Sequence, residues 1–306
     1  SSVHPLTLVV GLQMAKKIGV PCICEVRDLW PESIVEFSNL KKNSIFAKLL
    51  YQGEKWIYTK ADKLIFTIQG GTDYIIDQGW NKEKGGPIEL NKIRYINNGI
   101  DLISFDKNVK DNPFQDYDLA NLDTFKVVYT GSIRKANNLG LIIDAAKYVQ
   151  EGCDKSIKFL IFGDGDEKER LQKKCIDERI NNVFFKGKVE KRYIPNILSK
   201  SDLNILNYSN HNIWRYGGSQ NKNFEYLASG KPILSTIRMG YDIIEKYDAG
   251  ISIQSQTAES IGKAIILIAN MEKSRYQEMS ENARNAASDY DFKVLTEKLI
   301  SIIEEV

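Results

Sequence analysis

From Phe125 onward, short apolar runs without alternation are each followed by a helix-length segment, and this rhythm constrains the fold more than any other feature. The runs fall at 126–129, 157–162, 183–185, 202–206, 232–235 and 250–253, with helical patterns at 139–150, 167–178 and 224–228 among them. Strands apolar on both faces must be covered on both faces, and strands separated by helices run parallel. The fold class expected is therefore α/β, with a complete doubly wound domain over 125–288. Residues 1–106 carry the same rhythm with fewer beats. Strands are expected at 20–26, 63–67 and 92–96, helices at 8–18, 44–60 and 71–78, and a lead-in at 2–7. This first part reads as the later portion of a second α/β domain, incomplete at its start. Residues 107–124, with Asn, Asp and Pro but little periodicity, read as a linker, and 289–306 as a last helix returning to the first domain.

Bulk properties exclude some classes of function. A net charge of +2 over 306 residues gives no electrostatic reason for a nucleic-acid partner. Cys22 and Cys24 alternate on one strand face, but no second C-x-C or C-x-x-C accompanies them, so no metal site is expected. Free thiols suit a reducing compartment, and a cytoplasmic location is expected. No apolar run approaches a membrane span, and no signal peptide is visible. Between Leu40 and Lys60, five lysines stand against the single acid Glu54, beside Ile45, Phe46, Leu49 and Trp56. Such a helix can lie on anionic lipid headgroups or simply cover its own sheet.

The segment S-Q-N-K-N-F-E-Y-L-A-S-G-K-P-I-L, residues 219–234, carries the chemistry most clearly. It reads as a polar loop, a short helix capped by Asn221 and stopped at Gly230, and a buried strand. Lys222 and Glu225 lie in the first turns of that helix. A cation and a carboxylate at a helix N-terminus suit a ligand with a phosphate and a vicinal diol, as a nucleotide sugar has. In Y-T-G-S-I-R-K, Gly131 lets backbone approach a ligand at a strand's carboxyl end, and Arg134 and Lys135 follow as phosphate clamps; a solvated basic turn is the alternative. I-F-G-D-G-D-E, with Gly163, lacks a full dinucleotide fingerprint and reads foremost as a turn with Asp166 as helix cap. F-K-G-K-V, ending at Val189, offers backbone to a base edge or is a plain connection. The loop at 207–219 is polar and aromatic, as a sugar-facing loop would be. In E-V-R-D-L-W-P-E-S, Arg27 and Asp28 end a strand and point toward an interdomain cleft, unless they form a structural pair. His4 is read as a structural hydrogen-bonding group.

Taken together, E-V-R-D-L-W-P-E-S, I-N-N-G-I-D-L-I-S-F and S-Q-N-K-N-F-E-Y-L-A-S-G-K-P-I-L resemble motifs of the retaining family-4 glycosyltransferases of the GT-B fold. The likeness is strongest to the bacterial branch that builds O-antigen and capsule repeat units. It implies two Rossmann-like domains facing across a cleft and transfer of a sugar from a nucleoside-diphosphate donor, UDP-linked, to a lipid-linked or saccharide acceptor. No cofactor is implied. Glu225 matches the second glutamate of the family's E-x7-E motif and would hold the donor ribose. Arg134, Lys135 and Lys222 would neutralise the diphosphate in place of a metal. Arg27 and Asp28 would be the catalytic residues of the first domain. Gly217 stands where the first glutamate belongs, so donor-sugar contacts fall to Tyr216, Ser219, Asn221 or backbone. The family's first strand and glycine-rich loop would lie upstream of Ser1, which makes the chain short by about 80 residues, as a fragment or a truncated gene product. The rival readings are a sugar-nucleotide epimerase on the same plan and a nucleotide-sugar-binding remnant without catalysis.

Overall fold

The computed structural model describes residues 4–306. Among them nine strands form two sheets, parallel throughout. The first contains β1 (Ile23–Val26), β2 (Lys63–Phe66) and β3 (Ile93–Tyr95) in that order. The second contains β4 (Phe125–Thr130), β5 (Ile157–Phe162), β6 (Val183–Gly187), β7 (Leu203–Leu206), β8 (Ile233–Ser235) and β9 (Gly250–Ser252). Its spatial order, β6-β5-β4-β7-β8-β9, reverses direction between β4 and β7. Loops at the carboxyl ends of those two strands diverge and leave a crevice, where open α/β sheets take ligands.

Burial explains why the apolar runs did not alternate. Every residue of β4 and β7 is buried. One face packs under the helices Leu139–Gly152 and Ala258–Ala269, and the other under Asn221–Ala228 and Lys273–Asp289. A separate core under the first sheet joins Leu12, Cys24, Ile57, Leu64, Phe66, Tyr74 and Ile75. Cys22 and Cys24 do share a strand face, with Sγ atoms 4.0 Å apart. Among the described residues no helix is long and apolar enough to cross a membrane.

Local expectations fail at three places, each for a physical reason. The stretch read as a linker is partly helical: Leu102–Asp111 is a helix whose start is fixed by Asp101, which accepts from Ser104 N at 2.9 Å, while Phe105 drops into the core. Tyr117–Ala120 is a further turn of helix, capped by Asp116. Two caps outweigh a weak periodicity. The helix read as starting near Leu8 begins at Pro5, with His4 accepting from Leu6 N; the part of the lead-in at residues 2–3 lies outside the described residues. Asn221 is the first residue of the Asn221–Ala228 helix, not its cap. Gln220 holds the cap position and makes no side-chain cap bond. The last helix, Phe292–Glu304, follows a bridge between Ile100 and Asp291, and Glu305 at its end pairs with Lys63 at 2.7 Å and with Arg94.

Candidate active site

Three consecutive strand ends build one cavity of about 680 Å³. Gly131 and Ser132 follow β4, Gly163, Asp164 and Gly165 follow β5, and Lys188 to Lys191 follow β6; Lys222 and Glu225 close the fourth side. The loops sit tightly because backbone replaces side chain between them. Gly131 N donates to Phe162 O at 2.9 Å, Gly163 N to Gly187 O at 2.8 Å, and Ile133 N to Asp164 O at 2.9 Å. Gly163 has φ of 157°, and a Cβ there would stand 1.7 Å from Gly131 O. Only glycine permits that approach.

Lys222 is enclosed by phenols. Its amine donates to Tyr129 Oη at 3.1 Å and lies 4.5 Å from the Tyr129 ring centre and 5.0 Å from that of Tyr208. Burial lowers its pKa to about 8, against the opposing pull of Glu225. Three tyrosine hydroxyls, Tyr129, Tyr208 and Tyr226, interact electrostatically here, and the buried Tyr208 Oη has no hydrogen-bond partner among the described residues. The Glu225 carboxylate accepts no hydrogen bond from any described residue. Its nearest cation is the exposed Lys191, 3.9 Å away. Burial raises its pKa, and Lys191 and Lys222 partly offset that. A half-buried carboxylate with free lone pairs is an open acceptor for two hydroxyl groups.

A second cavity, about 340 Å³, lies between the two sheets. Arg27 and Asp28, just past β1, face Gly217, Gly218, Ser219, Gln220 and Asn221 across it. Partial burial raises the pKa of Asp28, and Arg27 opposes the rise. Ser219 is tied to the first unit: its Oγ accepts from Asn98 N at 2.9 Å and donates to Asn97 Oδ1, and Asn98 Nδ2 donates to Ser219 O at 2.6 Å.

The residues singled out from the sequence thus divide. Gly131, Gly163, Val189, Lys222 and Glu225 line the larger cavity; Arg27, Asp28, Ser219 and Asn221 line the cleft. Arg134 and Lys135 stand exposed on the loop beyond Gly131 and outside the lining of either cavity. Tyr216 is a correction. Its side chain is only 2% exposed, packed in the core of the first sheet edge-on to Tyr74, and its hydroxyl donates to Asp77 at 2.9 Å. It cannot face a sugar. The turn at 161–167 is likewise more than a turn, since its two glycines line the cavity, and Glu167 rather than Asp166 holds the helix cap position. The loop at 207–219 grips the first unit, with the His211 ring 4.4 Å from Phe37 and its Nδ1 3.8 Å from Glu36. Lys188 and Lys191 were not singled out. F-K-G-K-V held the signal for the first, a lysine beside a strand-end glycine, whereas nothing local marked Lys191.

Comparison with known proteins agrees with this geometry. The family described as "Glycosyl transferases group 1" matches residues 113–286, more than half of the chain. "Uncharacterized glycosyltransferase MJ1069" of Methanocaldococcus jannaschii is 25% identical over 234 residues, 76% of this chain and 55% of that protein. The poly(glycerol-phosphate) alpha-glucosyltransferase of Bacillus subtilis is 28% identical over 174 residues, 55% of this chain and 24% of that protein. The chain spans little more than half the length of the first of these relatives. Among solved structures, Anabaena HepE in complex with UDP superposes with a TM-score of 0.75 at 16% identity, covering 99% of this chain and 77% of that one. Sucrose-phosphate synthase of Thermosynechococcus elongatus gives 0.73 at 15% identity, covering 99% and 72%. The fold is that of the GT-B glycosyltransferases, and the chain belongs to the group 1 glycosyl transferases.

Proposed function

We propose that this chain binds a nucleoside-diphosphate sugar, UDP-linked, in the larger cavity and transfers the sugar with retention to a lipid-linked or saccharide acceptor entering from the cleft. One observation carries the reading. The Glu225 carboxylate, which accepts from no donor among the described residues, and the Lys222 amine converge on one cavity from the first turns of a helix whose N-terminus has no side-chain cap. Ribose hydroxyls donate to Glu225. The diphosphate lies against Lys222, the Gly131 and Gly163 backbone and the helix end, with Lys188 and Lys191 at the rim. As the glycosidic bond breaks, negative charge grows on the leaving diphosphate, and these cations stabilise it without a metal. Arg134 and Lys135, exposed above the cavity, reach the donor only by swinging inward.

Val189 presents backbone to the base, and Asn221 and Ser219 stand where the donor sugar meets the cleft. Arg27 and Asp28 reach the same cleft from the first unit and orient the acceptor. Retention and a place in bacterial surface-polysaccharide synthesis rest on the motif resemblance. The Anabaena neighbour, solved with UDP-glucose, supports the donor class. A lipid-linked acceptor at the cytoplasmic membrane face fits Ile45, Phe46 and Leu49, exposed at 89%, 60% and 68% on a lysine-rich helix. Calorimetric titration with UDP and UDP-sugars in the presence of EDTA tests the donor site: binding is expected without added metal, and its absence would refute the reading. Product analysis with and without acceptor separates transfer from epimerisation, which needs no acceptor.

A further inference from the structure

The residue where the sequence pointed to a sugar contact has a different task. Tyr216 belongs by sequence to the second unit, between β7 and the Asn221–Ala228 helix, yet its ring is buried in the core of the first. Tyr74 meets it edge-on at 5.4 Å, and Asp77 accepts from its hydroxyl. Arg215 stacks on the same ring, 4.6 Å from its centre, and pairs with Asp77 at 3.1 Å. The backbone is seized as well. Gly70 N donates to Tyr216 O at 3.0 Å, and a Cβ on Gly70 would come within 2.7 Å of Tyr216 Cα. Three residues further on, Ser219 is bonded to Asn97 and Asn98. The segment from Tyr216 to Ser219 is therefore fastened to the first unit at both ends. Two residues later, at Asn221, it becomes the helix that carries Lys222 and Glu225.

We infer that Tyr216 is a positioning residue: it makes the segment preceding the donor helix a part of the first unit, so that docking of the two units sets where Lys222 and Glu225 stand. The inference rests on the donor site proposed above. Its physical basis is the short tether. From Tyr216 to Lys222 is six residues, of which Ser219 is itself anchored, so little slack separates the plug from the charged pair. A ring held in a packed core has few alternative placements. Removing the ring leaves the Ser219 bonds as the side-chain tie to the first unit, joined to residue 216 through Gly217 and Gly218, two residues of permissive backbone.

The test uses the full chain in two independent arms. In the first, UDP affinity is measured by calorimetry for the wild type, Tyr216→Phe and Tyr216→Ala. Phenylalanine keeps the plug and is expected to bind UDP within about twofold of wild type, whereas alanine is expected to weaken binding about tenfold or more. A folded Tyr216→Ala protein, with β4 and β5 amides still protected, that binds UDP as the wild type does would overturn the inference. The second arm needs no variant. In native-state hydrogen exchange of the wild type under rising denaturant, the amides of Gly70 and Gly217 are expected to open together with β1 and β2. If Gly217 instead opens with β4 and β5, the segment is not part of the first unit and the inference fails. A wild type that binds no UDP would refute the donor reading, while the exchange arm would still decide the anchoring.

Discussion

The Lys222 amine stands 3.1 Å from the Tyr129 phenol oxygen and 4.5 Å from the centre of its ring, inside the cavity formed by the carboxyl ends of β4, β5 and β6. Rings attract the cation, but burial works against its charge and lowers its pKa to about 8. The diphosphate of the proposed donor would supply the missing counter-charge. UDP affinity is thus expected to fall as pH rises through about 8, where the empty site loses the proton. Calorimetry at pH 8 in buffers of different ionisation enthalpy should reveal proton uptake on binding. Equal heats across buffers would show that Lys222 keeps its charge in the empty site.

The same lysine has the opposite effect on folding. Its pKa is about 8 when folded against an ordinary 10.5, so between those values the unfolded chain binds more protons and the contribution to stability rises with pH. Lys222→Met, which removes a buried charge but keeps the stem, is expected to lose UDP binding while unfolding at an equal or higher urea concentration below pH 8. Urea melts of both proteins at pH 7 and pH 9.5 check this, and the gap between them should narrow at the higher pH.

Glu54 provides a contrasting titration. It is buried in the first unit, accepts from Tyr58 and Tyr74 at 2.6 Å each, and burial pushes its pKa up to about 8. From its ordinary 4.5 to about 8 the folded state holds the extra proton, so this group's contribution to stability falls as pH rises across that window. Glu54→Gln is expected to flatten the pH dependence of the urea midpoint there. An unchanged slope would place the titration elsewhere.

Gly163→Ala tests the close approach of the two glycine loops that follow β4 and β5. The added methyl would stand 1.7 Å from Gly131 O, where backbone cannot yield cheaply, and φ is 157°. A loss of about 2–4 kcal/mol in stability is expected, together with loss of UDP binding. Urea unfolding and calorimetry read the two effects separately. Gly187→Ala, with open space around it, should cost less.

The strands were legible because burial on both faces leaves an unbroken apolar run: 157–162 stands as β5, and 126–129 sits inside β4. Lys222 and Glu225 were legible because a helix start and a Gly-Lys-Pro break fix their geometry locally. Tyr216 was not. Its partners Tyr74 and Asp77 are some 140 positions away, and an aromatic in a polar loop looks the same whether it faces a sugar or plugs a distant core. The 102–111 helix was hidden by its polar outer face, although Asp101 and Phe105 both signalled it. Arg134 and Lys135 show the converse: the motif is visible, but the side chains point out to solvent.

The central claim is that Glu225 receives the hydroxyls of a donor ribose. Calorimetry of wild type and Glu225→Ala with UDP and with 2′,3′-dideoxy-UDP tests it most directly, as a cycle between one carboxylate and the two hydroxyls. The wild type is expected to lose about 1–3 kcal/mol, about 5- to 150-fold in affinity, when either side of the contact is removed. In Glu225→Ala, removing the hydroxyls should then cost almost nothing more. Equal UDP affinities for wild type and Glu225→Ala, or a full hydroxyl penalty that persists in the variant, would contradict the assignment.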